Sequence, residues 1–180
     1  MFTVELKGVK KMRVPRKLKA DIERGFIVAY YKYIKKCSVD IDDEYFTRTP
    51  FVAVAYSKDM VYGMDFSTLY HFDEQAKPKT LVRRVKRRVE AIENYCKLWG
   101  IRRKAPITPL YEIWCFIPAN IRVTETVESA LKQGLPIKLV MYDEVLERLR
   151  QTVLNLPETD KDENAFVQAA KMIRKAFKLK

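Results

Sequence analysis

Residues 48–68, RTPFVAVAYSKDMVYGMDFST, constrain this chain more than any other stretch. Two apolar runs, 52–56 and 61–64, are separated by Ser57, Lys58 and Asp59, residues that favour a tight turn, so the stretch reads as a β-hairpin. Runs this apolar suit strands near the centre of a sheet, covered on both faces, rather than a half-solvated edge. The second run ends in a single acidic residue, Asp65.

Helical periodicity brackets the hairpin. Leu18, Ile22, Phe26, Tyr30 and Ile34 recur every four residues after Pro15, which predicts a helix ending near Lys36 or Cys37. A short strand is expected at 3–6 and another at 38–42. Downstream, Val82, Val85, Val89, Ile92, Cys96 and Trp99 mark one face of a helix over 81–99, with Thr80 as its cap and Gly100 closing it. A strand over 110–117, a helix from Thr124 to Gly134, a strand over 137–142 and a helix from Asp143 to about Leu154 follow. Beyond Pro157 a linker carries a basic amphipathic helix over 165–179, expected to dock on the domain or to pair two subunits. Residues 1–156 therefore read as one α/β domain with a basic N-terminal segment, and 157–180 as linker and terminal helix. Strands alternating with helices after an antiparallel opening give a mixed central sheet flanked by helices.

Lys and Arg number 35 against 23 acidic residues, a formal charge of +12 over 180 residues. Such an excess points to a polyanionic partner, nucleic acid before others. A charge-rich thermophilic surface is the competing source, but that enrichment raises Glu together with Lys and leaves the imbalance unexplained. No apolar run reaches the roughly eighteen residues of a helical membrane span. The opening MFTVELKGVKK has no signal-peptide core, so a cytoplasmic location is expected. Cys37, Cys96 and Cys115 are far apart and form no CxxC pair, which predicts reduced core thiols rather than a zinc site or a disulfide frame. Glycine-rich phosphate loops and nucleophile elbows are absent.

The succession helix, strand, hairpin, helix, strand, helix, with an acid at the inner end of the second hairpin strand, resembles the PD-(D/E)XK or restriction-endonuclease-like superfamily over 17–155. Archaeal Holliday-junction resolvases and Sulfolobus-virus nucleases are the members it looks most like. The resemblance implies a DNA partner and carboxylates that hold divalent cations against the scissile phosphate, with a lysine beside the attacking water. Asp65 matches the acid of the second motif. Phe51 stands where the first aspartate is expected, and Phe binds no metal; Ser67 stands where the lysine is expected, with neither its charge nor its reach. Glu23 is the nearest counterpart of the leading-helix glutamate. On the resemblance, the candidate catalytic residues are Asp65 and Glu23, and the candidate ligands for Mg²⁺ or Mn²⁺ are Asp65, Asp42 and Asp43. Asp40, Glu44 and Glu112 are further acids that neighbouring strands can bring towards Asp65. The competing reading makes Asp65 a strand-end acid paired with a Lys or Arg, and Glu112 a structural acid likewise.

Arg83, Arg84, Lys86, Arg87 and Arg88 crowd the start of the 81–99 helix. The positive end of the helix dipole disfavours them, and they repel one another at i,i+4 spacing. An external phosphate relieves both conflicts, and the arginine fork suits it; the competing reading is a solvated surface partly neutralised by Glu90 and Glu93. Arg83, Arg84, Arg87 and Arg88 are expected opposite the apolar face. With Lys10, Lys11, Arg13, Arg16 and Lys17 they form the expected nucleic-acid contacts, to backbone and shape rather than to base edges. Tyr30, Tyr31 and Tyr33 interleave with lysines as in single-strand binders, but packing is preferred, with Tyr30 in the core and Tyr31 at the surface. His71 is expected in an exposed connector.

These readings converge on a DNA-binding protein with a nuclease-like frame, a degenerate site and no cofactor. The alternative is an active metal-dependent endonuclease or junction resolvase, and a second is a subunit that binds an acidic protein. A homodimer follows from the resemblance alone.

Overall fold

The computed structural model describes residues 16–40, 51–71, 78–157 and 165–177. The strand expected at 3–6 lies outside these residues. The first described element is α1 (Arg16–Ala29), which runs into a π-helical turn (Tyr30–Ile34) and a three-residue edge strand, β1 (Ser38–Asp40). The hairpin follows as β2 (Ala53–Tyr56) and β3 (Met60–Phe66), and a single turn, α2 (Thr68–His71), leads to the long α3 (Pro78–Arg103). Then come β4 (Thr108–Trp114), α4 (Ile121–Lys132), β5 (Ile137–Val140), α5 (Tyr142–Asn155) and α6 (Ala165–Phe177).

The five strands of the described residues lie in sequence order in one mixed sheet. The pairs β1–β2 and β2–β3 are antiparallel, whereas β3–β4 and β4–β5 are parallel, as helical crossovers require. Ser57 closes the hairpin turn: its backbone N–H donates to the Met60 carbonyl, and its hydroxyl accepts from the Met60 N–H, both at 2.9 Å.

Strand alternation sorts the apolar side chains into two cores. Val54, Tyr56, Val61, Tyr111, Ile113 and Ile137 face α3 and α4. Ala53, Ala55, Met64, Trp114 and Val140 face α1, the π turn, α5 and α6. Of the face that spacing predicts for the helix over 81–99, Val85, Val89, Ile92 and Cys96 are buried and Val82 and Trp99 are half-buried, while Leu81 rather than Val82 completes the buried stripe. Phe166, Val167 and Ala170 bury the terminal helix against the second core, with Phe166 and Phe26 ring centroids 5.3 Å apart. All three cysteines are buried free thiols. Among the described residues no helix is long and apolar enough to cross a membrane.

Several local expectations are corrected. Gly100 does not close α3; Lys104 does, at φ 53°, and the Ala105 N–H donates back to the Gly100 carbonyl at 3.3 Å in a Schellman closure. The start of α3 is Pro78, ahead of the expected Thr80 cap, and proline suits a first turn whose N–H groups are unpaired anyway. Asn120, not Thr124, opens α4, its side chain accepting from the Val123 N–H at 3.0 Å. Asp143 lies inside the first turn of α5, one residue past its start. Tyr31 is buried, not at the surface, because the π turn turns it inward beside Tyr30.

Gly63 sits where β3 passes under α3. A Cβ there would lie 2.7 Å from Ile92 Cδ1 and 2.9 Å from Phe51 Cε1. The isoleucine tip can swing, but the Phe51 ring is held between Tyr95 and Tyr111. Gly63→Ala should therefore destabilise the fold by about 1–2 kcal/mol through overpacking, read as a lower urea midpoint with unchanged slope.

Candidate functional site

Among the described residues, Asp65 and Glu112 are the two carboxylates that the sheet buries, at 1% and 2% exposure. They belong to adjacent strands, yet they do not meet. The parallel register sets Glu112 opposite Met64 and Asp65 opposite Ile113, so alternation sends the two side chains to opposite faces. The expected approach of Glu112 to Asp65 is thereby overturned.

Asp65 faces α3. Its Oδ2 accepts from the Tyr111 hydroxyl at 2.8 Å and lies 3.3 Å from Arg88 Nε, while Oδ1 accepts from the Val52 N–H at 3.3 Å. Because Tyr111 spends its one proton on Asp65, Tyr70 must be the donor of the 2.7 Å bond between the two phenols. The Arg88 guanidinium also lies over the Phe51 ring, 5.6 Å from its centroid. Burial pushes the Asp65 carboxyl up to about 6, against the pull of Arg88, Tyr111 and the Val52 N–H. Burial likewise pushes Tyr70 up to about 12 and Tyr111 well above the usual phenol range, so both stay neutral donors.

Glu112 faces α1 and α5. Arg148 of α5 reaches both its oxygens, Nη1 to Oε2 at 3.2 Å and Nη2 to Oε1 at 3.4 Å. Tyr31 Oη donates to Oε2 at 2.6 Å and Trp114 Nε1 at 3.0 Å. Glu144 accepts from Arg148 Nη2 at 2.7 Å and Nε at 3.1 Å and is itself bonded by Lys138 Nζ at 2.7 Å. The guanidinium lies over both Tyr30 and Trp114, 4.8 and 4.6 Å from their centroids. Burial disfavours the Arg148 charge, and Glu112 more than offsets it, so the group is held above its ordinary value. Arg148 was not singled out from sequence. Its signal is an arginine on the apolar side of α5, between buried Val145 and Thr152, with Glu144 four residues before it.

The carboxylate chemistry implied by the resemblance does not fit this arrangement. A hard divalent cation needs several converging oxygens. Both Asp65 oxygens already serve donors inside the fold, and Arg88 supplies the positive charge beside them. Glu23 does not join Asp65: it lies on α1, across the sheet, and pairs with Lys19 at 3.5 Å. Asp40 is exposed on the edge strand β1, with β2 between it and β3. Among the described residues no group of three or more His, Cys, Asp or Glu side chains could hold a metal ion. Asp42, Asp43 and Glu44 lie outside the described residues.

The basic ridge splits in two. Arg83, Lys86 and Arg87 are exposed, whereas Arg84 and Arg88 are half-buried. Arg88 was expected on the outer side; it instead turns inward, drawn by Asp65. Lys17 is exposed on the first turn of α1; Lys10, Lys11 and Arg13 lie outside the described residues, and Arg16 opens α1. His71 ends α2 rather than lying in a connector.

The folded Asp65 holds its proton up to about pH 6, well above its ordinary value of 3.8, so between these values the folded chain binds more protons than the unfolded one. Stability from this group is thus present in acid and lost as pH rises through the folded value. From about pH 7 to about pH 5 the wild type should gain about 1 kcal/mol over Asp65→Asn in urea unfolding. Arg148→Ala, which strands Glu112 in the core without its cation, should cost about 3–5 kcal/mol in the same assay. Comparison with models of known protein families, with curated proteins and with solved structures finds no match to this chain.

Proposed function

We propose that this chain is a nucleic-acid-binding protein, DNA before RNA, built on a restriction-endonuclease-like frame whose catalytic positions serve packing instead. The observation that carries the reading is the outer side of α3. Arg83, Lys86 and Arg87 stand exposed on adjacent turns, and among the described residues none of them makes an ion pair or hydrogen bond. These three lie beyond the first turn of α3, and the nearest acid along the helix is Glu90, four residues past Lys86 and three past Arg87. A phosphate backbone supplies the missing anions, and an overall charge of +12 adds long-range attraction.

The frame is supported by order and pairing: a leading helix, an antiparallel hairpin, a helix, then parallel strands, as the resemblance implies. At the three motif positions the residues point away from hydrolysis. Phe51 packs under Arg88, Asp65 is bonded through both oxygens, and Ser67 is buried. Cleavage would require Asp65 to release Arg88 before it took a cation, which favours binding without hydrolysis.

The test is fluorescence anisotropy on labelled duplex, single-stranded and four-way-junction DNA across a salt series, with EDTA present to separate binding from cleavage. The triple variant Arg83→Ala/Lys86→Ala/Arg87→Ala should bind at least about tenfold more weakly than wild type, with a log–log salt slope shallower by about two to three. Equal affinity and slope would remove the ridge from the interface; wild-type failure to bind any of the three at low salt would remove DNA as the partner.

A further inference from the structure

Strand β5 is one edge of the sheet, and among the described residues no strand lies beside its outer side. The ladder fixes which groups point there. The Tyr111 N–H donates to the Pro136 carbonyl at 2.8 Å and the Cys115 N–H to the Val140 carbonyl at 3.0 Å, so residues 136, 138 and 140 turn their backbone groups to β4. Leu139 therefore aims its N–H and its carbonyl away from the sheet, as Ile137 does its carbonyl and Met141 its N–H. Among the described residues none of these groups has a hydrogen-bond partner. Met141 keeps an extended backbone (φ −65°, ψ 158°), which carries the edge one residue past the strand, and it is 46% exposed. A lysine on an edge strand ordinarily guards it against further strands. Lys138 is instead drawn to Glu144, at 2.7 Å, and its charge is offset there.

We propose that two copies of this chain join edge to edge through β5, antiparallel, with Leu139 of each copy opposite Leu139 of the other. Pairing in this register is self-complementary, as a two-fold interface requires. Each Leu139 N–H meets the other copy's Leu139 carbonyl, and each Met141 N–H the other copy's Ile137 carbonyl, so every outward group is used. Side chains alternate, which puts Leu139 and Met141 on the α4 side with Ile137, and the exposed Met141 is covered against the other copy's Ile137. Charge selects a second copy at this place. Residues 121–155, which form α4, β5 and α5, hold five basic and five acidic side chains, so the +12 of the chain lies outside them. Two bodies of such like charge repel, and least where their neutral parts meet. The two-fold axis stands perpendicular to the joined sheet, so both α3 helices lie on one face of it, with the Arg83, Lys86 and Arg87 ridges of the two copies on the same side. The pairing does not depend on what those ridges bind.

Sedimentation velocity on the nuclease-treated chain, from about 5 to about 200 µM, tests this. An edge so short belongs with weak interfaces, so monomer should pass to dimer with a Kd of about 10–100 µM. Association should tighten as salt rises from about 50 to about 300 mM, because the like charges are screened. Leu139→Pro removes an edge N–H and no ladder bond, and proline is tolerated on an edge strand where the N–H points outward. Met141→Asp sets a carboxylate against the other copy's Ile137, at the N-cap of α5, where aspartate suits the helix. Each should weaken the dimer at least about tenfold. A wild type that stays monomeric at about 200 µM overturns the proposal. So does a dimer that either folded variant leaves unchanged, which puts the interface elsewhere. A dimer that loosens with added salt overturns it too, because a bridging polyanion then holds the copies together. If circular dichroism shows that Leu139→Pro does not fold, Met141→Asp decides alone.

Discussion

Strands β3 and β4 run side by side with Met64 opposite Glu112 and Asp65 opposite Ile113, and this register governs where both buried carboxylates go. Asp65 travels with Gly63 and Tyr111 towards α3, and Glu112 with Met64 and Trp114 towards α1 and α5. An ionised carboxylate buried alone costs more than the whole margin of a domain's stability, so each face must bring its own cation. Arg88 of α3 and Arg148 of α5 are those cations. A slip of one residue in β3 would point Asp65 at α1 and the π turn, where Arg148 is already engaged. Strand register and the positions of two helices along the sheet are thereby tied together.

The two pairs are not equivalent. Glu112 has two arginine contacts, a phenol and an indole, and its arginine is held between aromatic rings and a second carboxylate. Such a cluster offsets desolvation with many short contacts and ring quadrupoles. Asp65 has one arginine nitrogen at 3.3 Å, and Nη1 of the same arginine is buried with no hydrogen-bond partner among the described residues. Its carboxyl sits near the point of taking up a proton. The Glu112 cluster fixes one face firmly, and the Asp65 cluster leaves the other with slack.

The hairpin and the 81–99 helix were legible because each depends on local pattern: turn residues between apolar runs, and an apolar stripe at helical spacing. The pairing of Asp65 with an arginine was among the readings the residues allowed, and the structure selects it. What local pattern could not supply was phase and partner. Tyr31 follows Tyr30 and would leave the core of an α-helix, but a π turn changes the angle between them. Arg88 lies one step beside the apolar stripe of α3, and only the acid on the strand beneath decides that it bends inward. Gly100 carried the signature of a helix end, yet Ile101 continues the helix and Lys104 accepts the left-handed turn.

The contact between α1 and α6 has a consequence in time. Synthesis delivers a chain from its N-terminus, and local contacts form before distant ones. The α3 and α4 face has all its partners once Val140 has emerged, because β2 to β5 and both helices precede that point. Phe26 must wait for Phe166, and the core around it stays open until α6 is made. Among the described elements, α1 is thus made before the sheet and yet is among the last to be covered.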